Sequence, residues 1–148
     1  MSSTHSNLYI HFVFSTKGRE PWLQSGWRSP VHAYLGGILK SLDVIPLSIG
    51  GVDDHVHLLS RIRPIHQISE IVRQLKRGSS AWIHDHFHRA GFAWQEGYGA
   101  FSVSHHDVPA IRRYIDQQED HHRSRSFQDE YRDLLRAEGV EFDEQYLW

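Results

Sequence analysis

The chain has 148 residues, carries a net charge of −2 and is 39% hydrophobic, without any low-complexity tract. This length and composition can bury the core of one ordinary domain and argue against intrinsic disorder. Cysteine is absent, which excludes disulfides, thiolate metal sites and thiol nucleophiles. The sequence shows neither a secretory signal nor an apolar run of membrane-spanning length, so we expect a cytoplasmic protein.

Charge is distributed unevenly along the chain. Residues 127–148 contain seven acids and two bases, a local charge of −5, so the other residues together carry +3. The mildly acidic total argues against the bulk electrostatics of a typical nucleic-acid binder. Residues 61–89 hold six arginines and lysines against two acids, and either a basic face or a solvated helix surface would explain them.

Six elements are predicted in the first two thirds of the chain, in the order β-α-β-β-α-β. They cover residues 8–17, about 29–42, 44–52, 55–62, about 68–88 and 100–103. Pro46 suggests that the second strand starts at a sheet edge. This order is the split βαβ arrangement, so we predict the α+β class, with a ferredoxin-like or RRM-like antiparallel sheet of four strands and two helices on one face.

Two further helical patterns follow, over residues 109–121 and 127–137. Gly139 is well placed to stop the second of these helices. We expect residues 1–148 to form one domain. Its parts would be a βαββαβ core at about 8–104, a helix at about 109–121, and a C-terminal helix with an acidic tail at about 127–148.

The third predicted strand carries two histidines on one face. Successive strand side chains point to opposite faces, so His55 and His57 would present two imidazoles to one point, while Val56 faces the core. The glycines and aspartates of residues 50–54 favour a tight turn from the preceding strand. We expect the two imidazoles to project from the open face of the sheet or from its end.

The His-x-His spacing alone is weak evidence, because the chain contains 13 histidines. The same spacing recurs within residues 84–88, on a predicted helix end where positions i and i+2 diverge. His84 and His88, four residues apart on a helix, are the best rival pair of metal ligands. Four more histidines could also serve as ligands: His105, His106, His121 and His122.

The helix predicted after Pro109 carries a candidate nucleophile. Tyr114 and Gln118 are four residues apart and would share one helix face. A tyrosine beside Arg112 and Arg113, with an amide oxygen one turn away, fits a nucleophile next to a metal ligand. Simple packing is the commoner role of a partly exposed helical tyrosine and also explains the spacing.

Six stretches together resemble the single-tyrosine transposases of the HUH superfamily, including relatives of the REP-associated tyrosine transposases. They are residues 12–17, 50–57, 75–83, 94–104, 114–118 and 139–143. These single-tyrosine transposases move the simplest bacterial insertion sequences as single-stranded DNA. The resemblance runs in order through nearly the whole chain, which makes it far more specific than one histidine pair.

The resemblance implies a catalytic site and its chemistry. His55, His57 and Gln118 would bind a divalent metal, Mg²⁺ or Mn²⁺, and Tyr114 would form a 5'-phosphotyrosine intermediate. The substrate would be single-stranded DNA with hairpins near element ends. The family also implies a homodimer in which the tyrosine helix of one subunit can complete the site of the other, and association with the nucleoid during action on DNA.

Seven basic residues are candidate DNA contacts. They are Lys17, Arg19, Arg73, Lys76, Arg77, Arg112 and Arg113. For Arg112 and Arg113, salt bridges to the acidic tail are an equal alternative.

Three other functions remain open at this stage. A domesticated relative would cut chromosomal repeat hairpins with the same site. An RRM-like binding module would stack bases on sheet aromatics such as Tyr9, Phe12 and Phe14 and would perform no catalysis. A metal hydrolase would use water and leave Tyr114 a structural role.

Overall fold

The computed structural model describes residues 3–148. Its strands are β1 (Leu8–Ser15), β2 (Ile45–Val52), β3 (His55–Ile62) and β4 (Gly99–Val103). Its α-helices are α1 (Ser25–Ser41), α2 (Ile68–His86), α3 (Val108–Asp116), α4 (Gln118–His121) and α5 (Phe127–Ala137). Short 3-10 turns lie at Lys17–Arg19, His105–Asp107 and Glu144–Tyr146.

The strands form one antiparallel sheet in the order β2-β3-β1-β4. This is the strand order of a ferredoxin-like βαββαβ unit, so the predicted α+β fold is confirmed. β3 lies inside the sheet, where its backbone is paired on both sides. β2 lies at an edge, as Pro46 suggested, and a register shift between Pro46 and Ser48 interrupts its pairing with β3.

Helices α1 and α2 cover one face of the sheet. Phe12 and Phe14 of β1 and Leu58 of β3 point to this face and are fully buried in the main core, with Leu35 of α1 and Leu75 of α2. The alternation of strand side chains puts the remaining residues of β1 and β3 on the opposite face. That opposite face carries His55 and His57.

The face that carries the histidine pair is covered, contrary to our expectation of an open face. Near one end of the strands, Ile115 of α3 packs on Tyr9 and Leu59. Toward the other end, Phe127 and Tyr131 of α5 pack in a cluster with Val13 and Phe101. Because these C-terminal helices cover the sheet, His55 and His57 lose all contact with solvent.

Gly50 lets α3 approach the sheet closely. It lies inside β2, opposite His57 of β3, and the tight turn consists of residues 53–54 alone. A Cβ atom built on Gly50 would lie 2.4 Å from the backbone oxygen of Ile115. Only glycine therefore allows the end of α3 to lie against β2 beside the histidine pair.

The helix predicted over residues 109–121 is in fact two helices. Gln117, with φ −102° and ψ 19°, separates α3 from α4. Ile115 and Gln118 are both buried, and the break lets Ile115 pack on the sheet while Gln118 turns toward His55. Tyr114 and Gln118 consequently do not lie on one continuous helix.

Helix α5 ends as the sequence indicates. Gly139 has φ +68°, and the amides of Gly139 and Val140 bond to the carbonyls of Arg136 and Leu135. This pairing is a Schellman motif, in which a glycine ends the helix and satisfies two of its last carbonyls. Across the described part of the chain, residues 3–148, no helix combines the length and apolar character needed to cross a bilayer.

Candidate active site

A buried carboxylate lies at the centre of the site. Glu130 of α5 is 3% exposed, and its Oε1 lies 3.0 Å from His57 Nε2 and 3.3 Å from His55 Nε2. Its Oε2 accepts hydrogen bonds from the Tyr114 hydroxyl and, at 2.9 Å, from Gln118 Nε2. The four residues that sequence analysis assigned to the nucleophile and the metal therefore meet around one carboxylate.

Each histidine of the pair is also held on its second ring nitrogen. Nδ1 of His55 lies 2.7 Å from Asp54 Oδ1. Nδ1 of His57 lies 2.8 Å from Nε2 of His11, which is itself buried on β1. Contacts of this kind fix the orientation and tautomer of metal-binding histidines.

The pKa values of the two imidazoles are shifted in opposite directions. Burial by itself lowers the pKa of His55, but hydrogen bonds and attraction from Asp54 and Glu130 outweigh burial and raise the pKa to about 9. Burial dominates at His57 and lowers its pKa to about 4, against the attraction of Glu130. The acidic neighbours therefore favour the protonated form of His55 and burial favours the neutral form of His57, and a metal ion bound at His55 Nε2 would displace its proton.

Glu130 and Tyr114 are shifted in opposite directions. Burial opposes ionisation of Glu130, yet hydrogen bonds from His122, His55 and His57 lower its pKa below the ordinary range. Burial and the negative charge of Glu130 raise the pKa of Tyr114 above the ordinary range for a phenol. Tyr114 is thus a neutral phenol here, and its attack on a phosphate requires positive charge nearby.

His122 is the additional histidine of the site. Its Nε2 lies 3.1 Å from Gln118 Oε1 and 3.2 Å from Glu130 Oε1. Among residues 3–148, the group of three or more histidine and acidic side chains whose donor atoms all lie within 4.8 Å of one another is His55, His122 and Glu130, and His57 is outside this group. This buried group can hold a metal ion.

The donor atoms fit the coordination shell of a metal ion. His55 Nε2 lies 2.9 Å from Gln118 Oε1. The distances from His55 Nε2 and His122 Nε2 to Glu130 Oε1 are similar, 3.3 Å and 3.2 Å. Ligands placed about 2.1 Å from one octahedral ion lie about 3 Å from their neighbours. Imidazole nitrogens and carboxamide or carboxylate oxygens are all usual metal ligands.

His84 and His88, the rival pair of metal ligands, do not lie on one helix in the structure. His84 contacts the carbonyl oxygen of Phe92, whereas His88 lies beyond the end of α2 with φ +54°. The two residues do not share a helix face, so the prediction of an i, i+4 pair is wrong.

Two residues of the site were missed or undervalued in the sequence. Glu130 was counted as one acid of an acidic tail, although it lies three residues after Phe127 and one before Tyr131, on the apolar side of α5. An acid within such a stripe is a signal for a buried carboxylate. His122 was named only as a rival ligand, although it lies four residues after Gln118.

The candidate DNA contacts lie in different surroundings. Lys17 and Arg19 lie on the turn after β1, and Arg77 is exposed on α2. Arg73 forms two hydrogen bonds to Glu70, one turn before it. Arg112 and Arg113 are exposed on α3, and within residues 3–148 neither forms an ion pair with the acidic tail.

Lys76 holds a loop in the structure. Its Nζ donates to the carbonyls of Gln95, Glu96 and Gly97 at 2.7, 3.1 and 2.6 Å. Burial lowers the pKa of Lys76 to about 8. An ammonium has three N–H donors, so Lys76 would have to leave this loop to bind a phosphate.

Replacement of Lys76 tests this structural role. We expect Lys76→Met to lower the free energy of unfolding by about 1 kcal/mol, because the half-buried carbonyl of Gln95 and the exposed carbonyls of Glu96 and Gly97 lose their donor. Urea unfolding measures the effect, and Arg77→Ala, at the exposed neighbour, should be close to neutral. Wild-type stability of Lys76→Met with a loss of DNA affinity would instead assign Lys76 to phosphate binding.

His32 of α1 should make the protein sensitive to acid. Burial, with repulsion from Arg28 and His55, lowers its pKa to about 4, and its Nε2 is buried without a hydrogen bond. Below pH 6.5 the His32 imidazole becomes protonated in the unfolded chain, but in the folded chain it stays neutral down to about pH 4. The free energy of unfolding should therefore fall by about 2–3 kcal/mol between pH 6.5 and pH 4 because of this residue.

His32→Gln should remove that share of the acid sensitivity. Urea unfolding in EDTA at pH 7 and pH 4.5 measures it, with His106→Gln at an exposed histidine as the control. Equal acid sensitivity of wild type and His32→Gln would contradict the assignment.

Two solved structures share this fold. A candidate transposase from Deinococcus radiodurans is 26% identical, with a TM-score of 0.66 over 80% of this chain and 95% of that chain. A REP-associated tyrosine transposase, solved bound to a REP hairpin, is 13% identical, with a TM-score of 0.61 over 82% of this chain and 74% of that chain. No curated protein matches the chain.

Both neighbours share the ferredoxin-like fold of this chain, and the sequence shows the class of protein. A sequence profile described as "Transposase IS200 like" matches residues 4–118, which is most of the chain. The chain belongs to this family of transposases, and its resemblance to the single-tyrosine enzymes of the HUH superfamily is confirmed.

Proposed function

We propose that the protein is a metal-dependent transposase that cuts and rejoins single-stranded DNA through Tyr114. The observation that carries this proposal is the meeting of Tyr114, Gln118, His55 and His57 around Glu130 in a buried site. These residues come from β3 and from the segment that contains α3 and α4, which lie far apart in sequence. Membership of the IS200-like transposase family supports strand transfer on DNA as the general activity.

His55, His57 and Gln118 would hold the metal ion, with Mg²⁺ or Mn²⁺ as the candidates. A bound divalent ion would polarise the scissile phosphate and stabilise the charge that develops on its oxygens. His55 and His57 are each held by a second contact, which fixes the direction of the ring. Gln118 is buried between His55 and Glu130, so its carboxamide has a defined orientation.

Tyr114 would supply the nucleophile. A bond forms between its phenolic oxygen and phosphorus, and the bond from phosphorus to the leaving 3'-oxygen breaks. The phenol loses one proton and the 3'-oxygen gains one, so no proton is consumed overall. The phosphotyrosine retains the energy of the phosphodiester, and attack by another 3'-hydroxyl rejoins DNA without ATP.

The proposed substrate is single-stranded DNA that folds into hairpins at element ends. The REP-associated neighbour was solved with a REP hairpin, and this likeness supports hairpin DNA as the partner to test. Lys17, Arg19, Arg77, Arg112 and Arg113 are the proposed phosphate contacts. Arg73 and Lys76 would also need to exchange their present contacts.

The family relationship also motivates two proposals about the setting. One is a homodimer, in which α3 and α4 of one subunit can complete the site of the other. The second is action in the cytoplasm on DNA of the nucleoid.

Covalent capture tests the proposed function. The purified chain is incubated with Mn²⁺ or Mg²⁺ and a labelled single-stranded oligonucleotide that contains a hairpin. We expect an adduct of protein and DNA that resists denaturant and requires the metal. Cleavage without an adduct would support a hydrolase, and binding without cleavage would support an RRM-like module; either result would overturn the transposase mechanism.

A further inference from the structure

We propose that the metal site extends to His122 and Glu130, and that this donor set binds late first-row transition metals in preference to Mg²⁺. The inference rests on the proposed function only for the role of the ion in DNA cleavage. The donor set itself rests on the contacts among His55, Gln118, His122 and Glu130.

Four donor atoms form a closed ring. His55 Nε2 lies 2.9 Å from Gln118 Oε1 and 3.3 Å from Glu130 Oε1. His122 Nε2 lies 3.1 Å and 3.2 Å from the same two oxygens. Each nitrogen is thus next to both oxygens, at the spacing of neighbouring ligands around one ion.

His57 lies beside this ring, outside the group of His55, His122 and Glu130 whose donor atoms are all within 4.8 Å of one another. Its Nε2 lies 3.0 Å from Glu130 Oε1, and His11 holds its other nitrogen. His57 is fully buried, so its ring can turn little from the site. The ring itself contains two imidazoles, one carboxylate and one carboxamide, and the His57 imidazole contacts the same carboxylate.

This composition disfavours Mg²⁺. Magnesium prefers oxygen ligands, keeps several water molecules and requires near-octahedral geometry. Imidazole suits zinc, iron, nickel and copper, and affinity rises from manganese through cobalt along the first row. The ring of His55, Gln118, His122 and Glu130 would fill four positions around an ion with protein atoms, whereas magnesium retains several waters.

The two added donors lie beyond residue 118, where the match to the family ends. Glu130 reaches the site because Phe127, Tyr131 and Leu135 seat α5 on the sheet. His122 reaches it one turn after Gln118 on the segment that includes α4. A metal bound by both residues would therefore also tie the C-terminal helix to the sheet.

A titration with Co²⁺ tests the donor set on the full chain, freed of metal with EDTA. The visible d–d absorption of Co²⁺ reports its ligands, and competition with Zn²⁺ and Mg²⁺ reports selectivity. We expect Zn²⁺ to displace Co²⁺ at comparable concentration, and Mg²⁺ to fail even at about 100-fold excess. Displacement by Mg²⁺ at comparable concentration would overturn the preference, and this wild-type measurement needs no variant to fold.

Variants test the two added ligands. His122→Ala and Glu130→Gln should each weaken Co²⁺ binding at least about tenfold and change its spectrum. His106→Ala, at an exposed histidine of the 3-10 turn before α3, should bind as wild type. Wild-type affinity and spectrum in both His122→Ala and Glu130→Gln would overturn the extended site.

The outcome is separable from that of the proposed function. A Tyr114 adduct formed in Mg²⁺, with Co²⁺ binding that ignores His122 and Glu130, would remove this inference alone. Selective Co²⁺ binding that depends on both residues, without any adduct, would keep the metal site and remove the transposase mechanism.

Discussion

Tyr114→Phe should abolish the covalent product with DNA. The substitution removes the attacking oxygen but keeps the ring, so we expect the yield of adduct to fall at least about 10³-fold. The ring still packs beside His57 and His11, so the fold should persist. The measurement is adduct formation on a denaturing gel with a labelled hairpin oligonucleotide.

Tyr146→Phe is the matched control, because Tyr146 is 78% exposed in the C-terminal tail. It loses the same hydroxyl from a tyrosine and should form adduct as wild type does. Adduct from Tyr114→Phe at the wild-type level would show that another residue is the nucleophile.

Gly50→Ala should damage both stability and activity. The added Cβ would lie 2.4 Å from the backbone oxygen of Ile115, so α3 must move away from β2. We expect the free energy of unfolding to fall by about 1–3 kcal/mol, because the site is overpacked. A shift of about 1 Å at Tyr114 would reduce the rate of adduct formation about 10²-fold.

Gly37→Ala provides the comparison for this change. Gly37 lies on α1, and a Cβ there would meet nothing within 4 Å. Its replacement should leave activity unchanged and stabilise the helix by up to about 1 kcal/mol. Equal stability and activity of Gly50→Ala and wild type would contradict the close approach of α3 to the sheet.

Much of the fold follows from periodic patterns in the sequence. The strand over residues 55–62 and the helix over residues 127–137 have the predicted bounds. Both segments repeat apolar residues at the period of their own secondary structure, and a glycine follows the helix. The order of elements was sufficient to predict the ferredoxin-like antiparallel sheet.

The site was only partly predictable, because its contacts join distant segments. His55 contacts Gln118, which lies 63 positions later in the chain, and Glu130, which lies 75 positions later. No local pattern indicates that α5 would return to the face that carries the histidine pair. Glu130 was therefore read as part of the acidic tail, although it accepts the hydrogen bond from Tyr114.

The break at Gln117 was hidden for a similar reason. Residues 109–121 have a helical pattern throughout, and Gln117 is neither glycine nor proline. The break follows from two buried neighbours with different partners, since Ile115 packs on the sheet and Gln118 contacts His55. Tertiary packing thus overrides the local preference for one continuous helix.

Peptide mapping of the adduct tests the central claim most directly. The protein is reacted with metal and a hairpin oligonucleotide, treated with nuclease and digested with trypsin, which cleaves after Arg113 and Arg123. Our account predicts a remnant nucleotide on the 5'-phosphate attached to Tyr114, at the start of peptide 114–123. A nucleotide on any other residue, or cleaved DNA with peptide 114–123 unmodified, would contradict it.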